Sequence, residues 1–217
     1  MDECVNNCSA KIKLPNMSAC LYYFYCCFFW GSMMPIRKYI TKDEVDKVLN
    51  NIGSGLNAIR DHCIITMCYI HGFRASELCS LKLYDVDLVS GTIQINRLKN
   101  GLSTVHPLQL REKECIMAWL KVRSGYLRSV EEQFLFLSRF GKVLSRKQLY
   151  KMMRIYGEKA GLAIPLHPHM LRHSCGFALA DAGKDTRLIQ DYLGHKNIMH
   201  TVLYTASNPK RFKSIEI

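Results

Sequence analysis

Six residues in four short stretches have types that suit one reaction. HGFRASEL (71–78) holds Arg74, and RLKNG (97–101) holds Lys99. HPHMLRHSCG (167–176) holds His169 and Arg172, and LGHKNIMHTVLYT (193–205) holds His195 and Tyr204. Each has an ordinary explanation alone. Arg74 reads as a surface arginine with Glu77 as a helical neighbour. His169 and Arg172 lie three apart and share a helix face. Lys99 reads as a turn lysine, His195 as a histidine at a helix break, and Tyr204 as core. Together they are the parts for attacking a phosphodiester without a metal. A tyrosine hydroxyl has a pKa of about 10, so it needs a proton acceptor and a positive field to become a nucleophile. Two guanidiniums can grip the non-bridging oxygens with paired hydrogen bonds. They put positive charge where negative charge builds in the transition state. A histidine can take the phenolic proton and a lysine can protonate the leaving 5′-oxygen. The product is a covalent phosphotyrosine that conserves the bond energy for religation.

These residues need a scaffold, and the sequence predicts a mostly helical one with a small antiparallel sheet. Thr41-Lys42-Asp43-Glu44 fits a capping box that opens a helix to about Ile52. A second helix runs from about Leu56 to Ile70, and a short one starts near Ala75. Residues 92–97, TIQINR, alternate as a half-buried strand does. Asn100-Gly101 signals a tight turn, so residues 102–106 form the return strand and Lys99 sits at the tip of a hairpin. A helix follows over about 110–124, and residues 134–137 form a short apolar strand or turn. Ser145 to Gln148 is a second capping box, leading a helix that ends near Gly161. Pro168 suits the first turn of the helix bearing His169 and Arg172. Asp185 caps a helix closed by Gly194, and a last helix from about Asn197 carries Tyr204. This helix is expected to be loosely held, with the hydroxyl away from both arginines until the phosphodiester arrives.

The order Arg…Lys…His-x-x-Arg…His…Tyr resembles the tyrosine site-specific recombinases of the phage integrase family, over roughly residues 38–212. The His-x-x-Arg pair is weak alone, but with LGH nine residues before the tyrosine it is specific. The stretches GFRASEL, HPHMLRHSCGFALA, DTRLIQDYLGH and HTVLYTASN are similar to the fimbrial phase-variation recombinases. The resemblance implies the α+β catalytic-domain fold of that family. It makes Tyr204 the nucleophile, Arg74 and Arg172 the phosphate clamps, His169 the general acid/base at the tyrosine and Lys99 the general acid. His195 would hydrogen-bond the scissile phosphate, and Glu77 would orient a partner rather than react. His167, His173 and His200 fall outside the pattern and read as structural or DNA-facing. The resemblance also implies inversion of a promoter-bearing segment between short inverted repeats in double-stranded DNA, with no cofactor. A homotetramer on DNA, DNA-bending accessory proteins and a place in the bacterial cytoplasm at the nucleoid go with it.

The chain departs from most of that family in two places. Too little sequence precedes Thr41 to form a separate DNA-clamping domain, although the fimbrial subgroup is similarly short. Thirteen residues follow Tyr204, a short tail for packing on an adjacent protomer.

Bulk composition agrees with a polyanionic partner. A formal net charge of +12 favours nucleic acid over membrane. A cluster of Arg146, Lys147, Lys151 and Arg154 is the candidate DNA-contact face, some of it touching only phosphate. At 48% hydrophobic residues the 217-residue chain can bury a core, which excludes global disorder. Ten cysteines without a CxxC pair read as reduced thiols in a reducing compartment. Residues 14–36 carry no charge and hold seven aromatics between Tyr22 and Trp30. Residues 1–36 therefore read as an atypical extension: sequence upstream of the true start, an interfacial segment, or a packing arm. Residues 37–217 read as one catalytic domain.

Three rival readings remain open on the sequence. His167, His169, His173 and Cys175 could suggest zinc, although Arg172 among them would oppose a cation. A non-catalytic DNA-binding regulator and a topoisomerase-like nicking-closing enzyme would share the fold.

Overall fold

The computed structural model describes residues 37–55, 57–97, 103–126 and 133–206. The chain divides into two units, residues 1–37 and 38–217. Every described helix and strand belongs to the second unit. The expectations for residues 1–36 and for Lys99 lie outside the described residues.

The second unit is mainly helical with one small sheet. In chain order the helices are α1 (Lys42–Asn50), α2 (Ala58–His71), α3 (Ala75–Ser80), α4 (Leu110–Arg123), α5 (Arg146–Lys159), α6 (Pro168–Asp181), α7 (Thr186–Leu193) and α8 (Met199–Ala206). Local chemistry sets several boundaries. Thr41 and Glu44 cap α1 reciprocally, Ser145 and Gln148 do the same for α5, and the Asp185 carboxylate accepts from the amides of Arg187 and Leu188 at the start of α7. Pro168 occupies the first turn of α6, where its missing N–H costs nothing, and His167 Nδ1 accepts from Met170 N.

The sheet is antiparallel in the order β1 (Val86–Asp87), β2 (Thr92–Ile95), β3 (Thr104–Pro107). The expected β2–β3 pairing is present, with Ile93 opposite His106 and Ile95 opposite Thr104. The two-residue β1 was not expected. It is too short to show a period and exists through its pairing with β2. Residues 134–137 form two isolated bridges rather than a strand, Lys82 with Phe134 and Leu137 with Val143.

Helix α2 is the centre of the core, with Cys63, Ile64, Ile65, Met67 and Cys68 all buried. It packs on α4 and α6, while Val45, Val48 and Leu49 close the core from α1. A smaller apolar cluster of Cys175, Ala180, Ile189, Leu193 and Tyr204 lies where α6, α7 and α8 meet. Thus Arg74 and Glu77 (α3 and its cap), Arg172 (α6) and His195 (after α7) are all mounted around these helices. The five cysteines among the described residues are free thiols. No helix among the described residues is long and apolar enough to cross a membrane.

Candidate active site

The site is organised by the C-terminal end of α7. A helix leaves its last carbonyls without intrahelical donors. Here three consecutive carbonyls each accept from an arginine. Tyr192 O takes Arg97 Nη2 at 2.6 Å, Leu193 O takes Arg172 Nη2 at 2.5 Å, and Gly194 O takes Arg74 Nη2 at 3.3 Å. The negative end of the helix dipole favours this cationic surround. Gly194 makes the turn possible, with φ 65° in the left-handed region and Arg97 against the space a Cβ would fill. Gln190 Nε2 donates to His195 O at 2.9 Å and fixes the next residue of the corner.

Glu77 ties the arginines together. Its Oε1 accepts from Arg74 Nη1 at 2.6 Å, and its Oε2 accepts from Arg74 N at 2.9 Å and Arg97 Nη1 at 2.8 Å. Burial opposes ionisation of Glu77, but Arg97 and the bonds from Arg74 outweigh it and hold its carboxyl below the ordinary range. Arg172 also donates through Nη1 to Gly72 O. Burial first, then Arg74 and Arg97, brings Arg172 down to about 10, which leaves it protonated at neutral pH. Arg74 is partly exposed while Arg172 is buried.

Both motif histidines lie in this field. Burial and then Arg172 and Arg74 push His195 down to about 3. Its Nδ1 lies 2.9 Å from the hydroxyl of buried Thr201. A neutral ring accepting there carries its proton on Nε2, a donor suited to a phosphate oxygen. His169 is exposed, and its pKa is lowered by burial of part of the ring and by the same two arginines.

Tyr204 is only 1% exposed. Its hydroxyl meets His173 Nδ1 at 2.9 Å. Phe177 packs edge-on against its ring at 5.1 Å between centroids, and His195 stacks at 6.2 Å. A Cβ on Gly176 would come within 2.6–2.7 Å of three ring carbons, so the absence of that side chain creates the seat. Burial pushes the hydroxyl up to about 12 against the pull of Arg172. His173 is brought down to about 4 by burial, then His169, Arg172, Lys38 and His167. It is therefore a neutral ring, and because the buried phenol makes no other hydrogen bond among the described residues, the hydroxyl is assigned as the donor and Nδ1 as the acceptor. The hydroxyl is bonded to His173 and to neither Arg74 nor Arg172, as expected, but the helix is not loosely held: α8 packs on both α6 and α7, because the apolar ring fills the gap over Gly176.

The structure thus brings Arg74, Glu77, Arg172, His169, His195 and Tyr204 into one region. Arg97 and His173 join them, neither of which the motif reading selected. Arg97 carried a signal, being a charged residue that continues the inward series Ile93, Ile95. His173 lies one turn from His169 on α6, and nothing in the sequence says which of the two faces Tyr204. Arg146, Lys147, Lys151 and Arg154 are all exposed on α5. Among the described residues no group of three or more His, Cys, Asp or Glu is placed to hold a metal ion. Cys175 instead turns its thiol to Ile70 O at 3.2 Å.

Comparison with known proteins agrees with this arrangement. The family model described as "Phage integrase family" matches residues 38–211. The chain is 51% identical over 179 residues to the type 1 fimbriae regulatory protein FimB of Escherichia coli K12, covering 82% of this chain and 89% of that protein. It is 48% identical over 182 residues to FimE of the same strain, covering 84% and 92%. Among solved structures, the XerH site-specific recombinase bound to difH substrate superposes with a TM-score of 0.69 at 27% identity, over 81% of this chain and 52% of that one. The chain belongs to the phage integrase family, the family of the tyrosine recombinases.

Proposed function

We propose that this protein is a site-specific DNA recombinase acting through Tyr204. The Tyr204 oxygen attacks the scissile phosphorus, the bond to the 5′-oxygen breaks, and a 3′-phosphotyrosine and a free 5′-hydroxyl result. A 5′-hydroxyl then attacks the phosphotyrosine and rejoins the strand. Arg74 and Arg172 hold the non-bridging oxygens, and His195 donates to one of them. His169 handles the phenolic proton, and Lys99, by resemblance to the family's hairpin lysine, protonates the leaving oxygen. Glu77 orients Arg74. Residues 37–217 are the catalytic domain, and residues 1–36 lie outside it.

The observation that carries the reading is the mounting of Arg74 and Arg172 on adjacent carbonyls of one helix end, beside His195 and the Tyr204 helix. The net charge of +12 and the exposed Arg146, Lys147, Lys151 and Arg154 supply the electrostatic grip on duplex DNA. Kinship with FimB and FimE supports a substrate of two short inverted repeats flanking a promoter segment, whose inversion switches fimbrial expression. The working assembly is a tetramer on DNA, helped by DNA-bending proteins, in the bacterial cytoplasm at the nucleoid. A supercoiled plasmid with two inverted copies of the site tests this. The recombinase inverts the intervening segment. A topoisomerase-like enzyme relaxes the plasmid without inversion, a non-catalytic regulator does neither, and either result overturns the proposal.

A further inference from the structure

Arg97 takes no part in the cleavage chemistry, yet it underlies the whole site. Its side chain is fully buried beneath Glu77 and the end of α7. Nη1 donates to Glu77 at 2.8 Å, and Nη2 donates to Tyr192 O at 2.6 Å and His71 O at 3.5 Å. Its Nε has no hydrogen-bond partner among the described residues and packs against Gly194. A buried guanidinium with an unpaired N–H is a poor way to fill a core, where an apolar residue of similar volume would serve stability as well or better. Packing does not explain the residue, but its bonds do. It holds one oxygen of the carboxylate that Arg74 also uses, and the first of the three carbonyls on which the site is mounted.

We propose that Arg97 is a positioning residue for strand cleavage, acting through Glu77 on Arg74 and through the end of α7 on Arg172 and His195. The inference rests on the reading that Arg74 grips the scissile phosphate. With Arg97 present, Glu77 divides its two oxygens between two guanidiniums, and Arg74 keeps donors and net charge for the phosphate. Without it, the carboxylate is free to turn wholly onto Arg74 and neutralise it. Three guanidiniums and one carboxylate leave two positive charges, matching the two negative charges of the pentavalent transition state.

The test compares Arg97→Met, Arg97→Lys and Arg74→Ala in the full chain on a nicked suicide duplex carrying a site recovered from DNA retained by the protein. One duplex has the natural scissile phosphodiester and the other an uncharged methylphosphonate. Arg97→Met should bind DNA normally, cleave the diester about tenfold or more slowly, and recover most of that loss on the methylphosphonate, where charge neutralisation matters less. Arg97→Lys keeps the charge but cannot reach Glu77, Tyr192 and His71 together, so it should show a smaller deficit with the same recovery. If Arg97→Met does not fold, Arg97→Lys decides alone. Wild-type rates, or equal slowing on both duplexes, would overturn the proposal, since a merely structural role does not distinguish the substrates. Arg74→Ala is the control on the underlying reading. If methylphosphonate fails to restore it, the clamp assignment itself falls. If it is restored while the Arg97 variants are not, only the role of Arg97 falls.

Discussion

The Tyr204 hydroxyl donates to His173 Nδ1 at 2.9 Å, in a seat opened by Gly176. The protonated phenol and the neutral imidazole are matched in this position, with the one pushed up to about 12 and the other down to about 4. Burial is the first cause of both shifts, so the bond is a resting contact. Proton transfer across it is strongly uphill until the surroundings change. A phosphate arriving at the arginines would weaken their field on the histidines, and the phenol must leave this seat before His169 can take its proton.

Replacing His173 by Phe keeps a ring and removes the acceptor. The hydroxyl is then buried without its partner, which costs about 1–3 kcal/mol. Urea denaturation should show that loss, and His173→Gln, which retains an acceptor, should recover part of it. An unchanged midpoint for His173→Phe would mean that the contact contributes nothing.

Gly176→Ala separates helix propensity from the tyrosine seat. Alanine inside a helix is worth up to about 1 kcal/mol over glycine. Here the new methyl meets the Tyr204 ring, and overpacking costs about 1–3 kcal/mol. The substitution should destabilise the wild type but become neutral or stabilising in a Tyr204→Ala background. Equal effects in the two backgrounds would contradict the contact.

Glu77→Gln removes the charge that Arg74 and Arg97 share. Breaking a buried ion pair from one side costs about 3–5 kcal/mol, since the remaining charge is left buried. The partial exposure of Arg74 sets the expectation at the lower end, with Arg97 bearing most of the loss. Thermal denaturation at neutral pH measures it.

Acid should loosen the fold before the carboxylates titrate. His106, His173 and His195 are brought down to about 3, 4 and 3, chiefly by burial. Between those values and the ordinary value of about 6.5, the unfolded chain binds protons that the folded chain refuses. Stability is therefore full above about pH 6.5 and falls progressively toward pH 4. Glu77, held below its ordinary range, adds a further loss only at lower pH. A melting temperature that stays flat from pH 7 to pH 4.5 would contradict these assignments.

Lys147, Lys151 and Arg154 fall on one face of α5, at helical spacing and exposed. If each meets a phosphate, replacing one by alanine weakens binding to all sequences alike and lowers the slope of log affinity against log salt by about 1. Loss of sequence discrimination with an unchanged slope would instead mark the residue as a base reader.

What the sequence revealed was set by short-range chemistry. Thr41, Ser145 and Asp185 act on amides two or three residues away, so these helix starts were legible, as was the β2–β3 pairing from its alternation. The two-residue β1 was not, because its neighbour defines it. The motif order located Arg74, Arg172, His195 and Tyr204, but their mutual geometry depends on how α8 lies on α6 and α7. That packing chose His173 over His169 as the partner of Tyr204, a tertiary outcome that two histidines one turn apart do not encode. It also closed the expected loose helix around the ring. Arg97 was only partly legible: it continues the inward parity of Ile93 and Ile95, but a charge at the end of an alternating strand also reads as its exit to solvent, and its place under Glu77 is a tertiary outcome.

The central claim is that Tyr204 becomes covalently joined to DNA. The full chain is incubated with a nicked suicide duplex, the adduct is digested, and the peptides are sequenced by mass spectrometry. A 3′-phosphonucleotide on Tyr204, absent from Tyr204→Phe and unaffected by chelator, is the predicted result. An adduct on another residue, or one that persists in Tyr204→Phe, would contradict the account.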